Sequence, residues 1–367
     1  MRTAVSEQLG ITHPIFGFTP SEHVAAAISR AGGLGVLGCV RFNEADELDA
    51  VLNWMDENTD GKPYGVDIVM PAKVPEEGSA SDLGKYIPDG HRAFVEDTLR
   101  KLGVPPLPDD GDPARDGVLG WLHSVARAHV DVAMQHPIKL IANALGSPPK
   151  DVIDEAHAHG VPVAALAGKA KHARSHVDNG VDIVIAQGTE AGGHTGEIAT
   201  MVLVPEIVDA VGSDAHVLAA GGIGSGRQIA AALALGAGGV WMGSYWLTAS
   251  EYQLGTGDAV QRALVAAGSD QTVRARVYSG KPARLLKTKW TQAWAEPGAP
   301  EPLPMPLQNL LVSEAHQRIA AADDPEVVAM PVGQIVGRMN SVRPVAELIA
   351  DLVAEFDETL ARLDKLR

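Results

Sequence analysis

Val181-Asp182-Ile183-Val184-Ile185 runs straight into Ala186-Gln187-Gly188-Thr189-Glu190-Ala191-Gly192-Gly193-His194-Thr195-Gly196. The first run is apolar and short, the pattern of a buried strand. The second is a glycine-rich exit turn that carries one histidine. Its glycines let the backbone turn sharply and lie close to a ligand. Its histidine is the one side chain there that exchanges a proton near neutral pH. Further on, Val217-Leu218-Ala219-Ala220-Gly221-Gly222-Ile223-Gly224-Ser225-Gly226-Arg227 repeats the pattern, and Val240-Trp241-Met242-Gly243-Ser244 gives a third strand end with small residues. Three such ends in succession lead to an expectation of parallel strands that present backbone N–H groups to one anionic ligand.

The same strand–helix unit extends on the N-terminal side. Strands are expected at 13–18, 34–37, 64–70, 138–145 and 161–167, with helices at 21–31, 43–55, 150–159 and 169–179. In the first helix Ser21 can act as the cap, and Val24, Ala27, Ile28 and Ala31 share one face. With the three glycine-exit strands the count reaches eight, which is what a (β/α)8 TIM barrel needs. A doubly wound open sheet is the competitor. The count and the clustering of glycines after the late strands favour the barrel, whose sites lie at the C-terminal strand ends, often with a phosphate after strands seven and eight.

Two regions break the alternation. Residues 71–135, after strand three, are rich in Pro, Gly and Asp. They carry expected helices at 87–102 and 117–134 around an exposed loop at 105–113, and read as a lid or edge extension. Residues 251–330 read as a mostly helical or irregular substrate-covering region, with helices at 258–267 and 312–321 and an extended proline-dense stretch at 297–306. The barrel unit is then 1–250, with insertion 71–135, plus 331–367, closed by a long helix at 345–366.

Composition narrows the partners. The 367 residues carry a formal net charge of −16, which argues against a nucleic-acid backbone or an anionic membrane. Aromatic residues make up only 4%, while small apolar residues abound, as in closely packed α/β layers. The single cysteine, Cys39, allows no intrachain disulfide and suits a reducing compartment, here the cytoplasm. The N-terminus shows no basic stretch followed by an apolar one. The uncharged run 229–247 is long enough to suggest a membrane span, but Gly236, Gly238, Gly239 and Gly243 break it into helix, turn and strand.

Gly221-Gly222, Gly224-Ser225-Gly226 and Gly243-Ser244 would supply donors to a phosphate, with a helix N-terminus behind the first group. Tight turns that merely need glycine are the bland alternative. No Gly-x-x-x-x-Gly-Lys-[Ser/Thr] loop is present, and no glycine fingerprint follows an early strand, so a mononucleotide cofactor or a substrate phosphate is expected. His194 is the candidate acid or base. Glu190 would orient it or cap a helix, the latter preferred. Ser225 and Ser244 read as phosphate donors. His172 and His176 share a helix face but lack a third ligand, so a solvated face is expected and no metal.

The runs 187–196, Ala220-Gly221-Gly222-Ile223 and Met242-Gly243-Ser244 resemble the nitronate monooxygenase family. His13-Pro14-Ile15, Ala31-Gly32-Gly33-Leu34-Gly35 and Gly333-Gln334 match its pattern as well, so the resemblance spans most of the chain. It implies an FMN-dependent barrel without metal. His194 would be the catalytic base, and Gly193, Gly221, Gly222, Gly243 and Ser244 would hold the FMN, chiefly its phosphate. Gly17, Asp67, Gln187 and Gly188 are the further FMN-binding candidates. The implied reaction is oxidation of alkyl nitronates with O2 to a carbonyl compound and nitrite, extending through the base to neutral nitroalkanes. The implied partners are a small-molecule substrate and O2, and a homodimer is compatible with the sequence.

The chain also departs from the family pattern. Strand one ends Ile15-Phe16-Gly17-Phe18-Thr19 where a methionine and glycine are usual. Asp67 stands where an asparagine is common, and Leu166 where some members have a lysine. These departures bear on the substrate more than on the cofactor. Two rival readings follow: a flavin-dependent C=C reductase or dehydrogenase of acyl-CoA or acyl-carrier substrates using NAD(P)H, and a flavin- or phosphate-binding barrel without turnover.

Overall fold

Apolar runs of three to five residues become parallel strands: β1 (Ile15–Thr19), β2 (Leu34–Gly38), β3 (Tyr64–Asp67), β4 (Ile141–Asn143), β5 (Val163–Ala167) and β6 (Ile183–Gln187) pair in chain order. The two-residue β7 (Gly193–His194) stands apart. β8 (His216–Ala220) pairs with β6, β9 (Gly239–Met242) pairs with β8, and β9 closes on β1. The result is the closed eight-stranded barrel expected from the sequence. The computed structural model describes residues 1–70, 83–107, 123–254 and 257–366.

Strand periodicity sorts the barrel residues into two layers. Phe16, Leu34, Val36, Ala164, Ile185 and Leu218 pack inside the barrel. Their neighbours Ile15, Val184, Val217, Ala219 and Val240 face the surrounding helices. Burial on both faces explains why these strands read as continuous apolar runs rather than alternating ones.

The helices are α1 (Ala4–Gln8), α2 (Glu22–Arg30), α3 (Ala45–Asn58), α4 (Asp89–Lys101), α5 (His123–Ala133), α6 (Lys150–Ala158), α7 (Ala170–Asp178), α8 (Thr200–Val211), α9 (Gly226–Ala234), α10 (Ala259–Ala266), α11 (Lys289–Ala293), α12 (Leu307–Ala322) and α13 (Val345–Asp364). Ser21 caps α2 by accepting from Val24 N at 3.4 Å. In α13, Val345, Leu348, Ile349, Leu352 and Phe356 are buried in the helix layer. Among the described residues no helix is long and apolar enough to cross a membrane.

α4 and α5 form within the inserted segment after β3. Residues 71–82, 108–113 of the expected loop and 117–122 of the expected helix lie outside the described residues. α4 joins α11 and α12 in one apolar cluster through Val95, Leu99, Trp290, Trp294, Val312 and Ile319. Arg318 reinforces the contact by donating to Glu96 Oε1 at 2.8 Å.

Two expectations change here. α12 starts at Leu307 rather than 312, because Gln308 is fully buried and its amide donates to Val277 O at 2.9 Å. A glutamine at that place looks like surface until its acceptor is known. Residues 251–330 are also less helical than expected. β10 (Thr272–Ala275) and β11 (Ala283–Leu286) pair antiparallel, and β11 continues antiparallel onto β7. That second sheet connects the region to the histidine turn.

Candidate active site

The barrel mouth at the C-terminal strand ends follows from the same alternation. Phe18, Asp67, Leu166 and Gln187 continue the inward-facing rows of β1, β3, β5 and β6 and form its top layer. Phe18 stacks on Trp241, ring centroids 6.1 Å apart. Gly17 faces the opposite way. A Cβ there would lie 2.9 Å from Trp246 Nε1 and strike Ile28, so Gly17 offers the mouth only its backbone.

β8 and β9 are neighbours, with Ala220 beside Trp241, so their exit turns lie side by side. Gly221 and Gly222 have φ of 105° and 69°, the region that glycine adopts freely. A Cβ on Gly221 would also come within 2.8 Å of Thr200 Oγ1 and 3.1 Å of Gly188 O. Among the described residues, no protein acceptor is hydrogen-bonded to the N–H of Gly221, Gly222, Ile223, Gly243 or Ser244. Ser244 Oγ accepts from Gly333 N at 2.9 Å, which leaves its own proton to donate. Free amides, a hydroxyl and a turn without side chains fit the phosphate of a flavin mononucleotide.

The helix N-terminus behind this turn does not belong to the set. Gly226 N donates to Glu355 Oε2 at 2.7 Å, and Gly224 N to Gln228 Oε1 at 3.0 Å. Ser225 Oγ accepts from Gln228 N at 3.3 Å and donates to Gln228 Oε1 at 2.9 Å. Ser225, expected as a phosphate donor, is a buried helix cap, and the N–H groups of Gly226 and Gln228 at the start of α9 are already paired within the protein. A cleft of about 500 Å³ lies on the helix side of this turn, walled by Val204, Ala219, Ala231 and Leu235.

His194 sits on β7, paired opposite Ala283, while Gly193 pairs opposite Arg284. Its Nε2 lies 2.6 Å from the Oγ of Ser279, itself buried. Burial, and then the nearby Lys281 ammonium, hold the imidazole below its ordinary value of 6.5, so the ring is neutral at pH 7. Two arginines hold the loop on either side of it. Arg284 Nε donates to Thr189 O at 3.0 Å, and Arg274 Nη2 donates to Thr195 O at 3.1 Å.

The other residues of the turn are mostly braces. Gly188 N donates to Ala220 O at 2.9 Å, and its Cα packs against Thr200. A Cβ on Gly192 would lie 2.7 Å from the carbonyl carbon of Val332. Gly193, at φ 73°, faces open space. Glu190 takes the capping role: its carboxylate accepts from Thr200 N at 3.0 Å and Thr200 Oγ1 at 2.8 Å, at the start of α8. Gln334 N donates to Glu190 O at 2.9 Å, so Gly333 and Gln334 link the Ser244 turn to the histidine turn.

Ser279, Lys281, Arg274 and Arg284 escaped the reading of the sequence. The available signal was Thr272-Val273-Arg274-Ala275 and Ala283-Arg284-Leu285-Leu286 on either side of Gly280-Lys281-Pro282, two short runs around a turn. The solvated face expected for His172 and His176 holds for His172, which is exposed, and is corrected for His176. His176 is buried; it donates from Nε2 to Leu166 O at 3.1 Å and pairs with Ser147 Oγ at 2.7 Å. Among the described residues no group of three or more His, Cys, Asp or Glu side chains is placed to hold a metal ion.

Comparison with known proteins gives a consistent result. The family described as Nitronate monooxygenase matches residues 2–355. A Mycobacterium tuberculosis protein named "Putative monooxygenase Rv1533" is 50% identical over 379 aligned positions, covering 100% of this chain and 99% of that protein. An octahydro-1H-indene-4-carboxyl-CoA dehydrogenase of Rhodococcus jostii is 28% identical, covering 100% of this chain and 99% of its own. Among solved structures, nitroalkane oxidase from Streptomyces ansochromogenes superposes with a TM-score of 0.79 at 29% identity, over 98% of this chain and 100% of that one.

Proposed function

Because the chain belongs to the nitronate monooxygenase family, we propose that it oxidises alkyl nitronates with O2 to a carbonyl compound and nitrite, using FMN. It is a flavin-dependent oxidoreductase. The observation that carries the finer reading is a neutral His194, braced by Ser279 at 2.6 Å and set beside a corner of unpaired amides.

The amides of Gly221, Gly222, Gly243 and Ser244, with the Ser244 hydroxyl, would hold the FMN phosphate. Phe18, Asp67 and Gln187 line the mouth in which the flavin would be held, while Gly17 and Gly188 keep the strand ends close-packed. Bound flavin supplies the redox chemistry. His194 takes the proton from the acidic C–H of a neutral nitroalkane, which a neutral imidazole in reach of that bond can do. With Nε2–H donating to Ser279 Oγ, Nδ1 keeps the lone pair that a base needs. Residues 251–330 cover the substrate through the β10–β11 hairpin. The enzyme works in the cytoplasm on a small molecule and O2.

The CoA dehydrogenase relative supports a second reading, a dehydrogenase or reductase of acyl-CoA substrates that uses NAD(P)H. The test is the visible spectrum of the purified protein, mixed without oxygen with propionate 3-nitronate and, separately, with NADPH or NADH. A yellow protein whose spectrum responds to the nitronate and ignores the pyridine nucleotides is expected. Bleaching by NADPH or NADH with no response to nitronate would establish the second reading. A colourless protein that takes up no FMN would remove both.

A further inference from the structure

Asp67 is an unusual group to find in the mouth of this barrel. It ends β3, where the alternation that sends Tyr64, Val66 and Ile68 to the helix side sends Asp67 inward. It is only 4% exposed. Among the described residues its carboxyl oxygens have no hydrogen-bond donor and no ion-pair partner. The inward-facing residues of the same layer, Phe18, Leu166 and Gln187, bring no cation to it.

The groups on the elements around it do not supply one either. The turn after β2 brings Cys39, whose thiol burial and Asp67 push far above its usual range, and Arg41, which pairs with Glu22 at 2.6 Å and stacks on Phe42. β4 brings Asn143, a neutral amide occupied with Met70 and Gly146. The charges of the histidine turn and the hairpin, at His194 and Lys281, act on each other and not on Asp67. A carboxylate in such surroundings has lost its water and gained no partner, which disfavours the charge.

We infer that Asp67 is a specificity-determining residue: it works as an uncharged carboxylic acid whose O–H donates a hydrogen bond into the barrel mouth, and its ionisation turns anionic substrates away. Kept neutral, the group offers one donor and one acceptor, as a carboxamide would. Ionised, it places a second negative charge beside a nitronate or a reduced flavin in a water-poor space. Burial pushes the carboxyl up to about 7, so the change falls within the working range. The inference rests on the reading that the mouth takes a flavin and an anionic substrate.

Two measurements test it separately from that reading. The first is infrared difference spectroscopy of wild type and Asp67→Asn between pH 5.5 and 8.5, with and without FMN. A carboxylic-acid carbonyl band that titrates away near pH 7 in wild type and is missing from the variant is expected. No such band, or one that survives the substitution, overturns the inference whatever the enzyme turns over. The second is the KM for freshly ionised ethylnitronate. In wild type it rises about tenfold from pH 6 to pH 8, because the protonated fraction falls tenfold for each unit above the midpoint. In Asp67→Asn it stays near the low-pH value. The same rise in both proteins sinks the proposed gate. A protein that binds FMN but ignores nitronate would refute the proposed function while leaving the band to decide the state of Asp67.

Discussion

The two halves of the candidate site are built on opposite principles. The phosphate corner is local: Gly221-Gly222 and Gly243-Ser244 leave adjacent parallel strands, and the donors are backbone amides that exist wherever the turn forms. The proton corner is assembled from afar. His194 owes its orientation to Ser279, 85 residues along the chain, and its loop to Arg274 and Arg284 on the same hairpin. Backbone turns bind a constant group, while side chains brought in from another sheet tune the reactive one. This contrast can be attacked by experiment.

The largest expected effect lies at the proton corner. His194→Asn removes the base, and kcat/KM on neutral nitroalkanes falls by roughly 10²–10⁴ while FMN stays bound. Preformed nitronate is oxidised far better than nitroalkane by this variant. Equal loss on the two substrates, measured by oxygen uptake, would remove the base from the scheme. The wild-type rate on nitroalkanes rises with pH through a midpoint below 6.5, because burial and Lys281 both favour the neutral ring.

Next comes Gly221→Val, which strikes the phosphate corner alone. It forces a β-branched residue to φ 105° and drives its Cβ into Thr200 Oγ1. The strain is of order 1–3 kcal/mol, so flavin affinity falls about 5- to 150-fold. Activity at saturating FMN changes little. Fluorescence titration of the flavin-free protein checks this, and a variant that binds FMN normally but turns over poorly would blur the distinction between the corners.

Ser279→Ala separates orientation from chemistry. Losing one hydrogen bond to the imidazole lowers nitroalkane turnover about tenfold, the scale of a bond worth 0.5–1.5 kcal/mol. It also moves the pH midpoint, while flavin binding is untouched. An unchanged pH profile would show that Ser279 only fills space.

The remaining change is read in stability rather than turnover, at Asp67. Its affinity for a proton is higher in the folded chain than the ordinary 3.8, so folding takes up a proton between 3.8 and about 7. The stability tied to the neutral form is full below 3.8 and is lost as pH climbs to 7. Asp67→Asn therefore gains on wild type as pH rises from 5 to 8, by at most roughly 3 kcal/mol, because about two units of the window are crossed at 1.4 kcal/mol per unit. Urea melts at both pH values measure it, and a variant that is less stable at pH 8 would contradict a charged, unpaired carboxylate there.

Much of this molecule was legible because the signals are short-range. Each barrel strand is a few buried residues ended by small ones, and Ser21 and the apolar faces of α2 and α13 announce their helices within two turns. The hairpin was not legible. Thr272–Ala275 and Ala283–Leu286 are four residues each, and only pairing with β7 makes them part of a sheet. Ser225 misled for a related reason. A serine between glycines looks the same whether it meets a phosphate or caps its own helix, and Gln228 decides for the cap.

By itself the sequence determined the barrel, the order of its strands, the placing of glycines at their exits and the presence of one histidine among them. Those follow from periodicity and backbone freedom within windows of about ten residues. The tertiary structure alone decided that Glu355 takes the first donor of α9, that Gly17 turns away from the mouth, and that Asp67 turns into it without a partner among the described residues. Such facts depend on which distant side chain arrives at a polar group and how little water remains there. Register and burial set both, and neither is written in any one stretch of the chain.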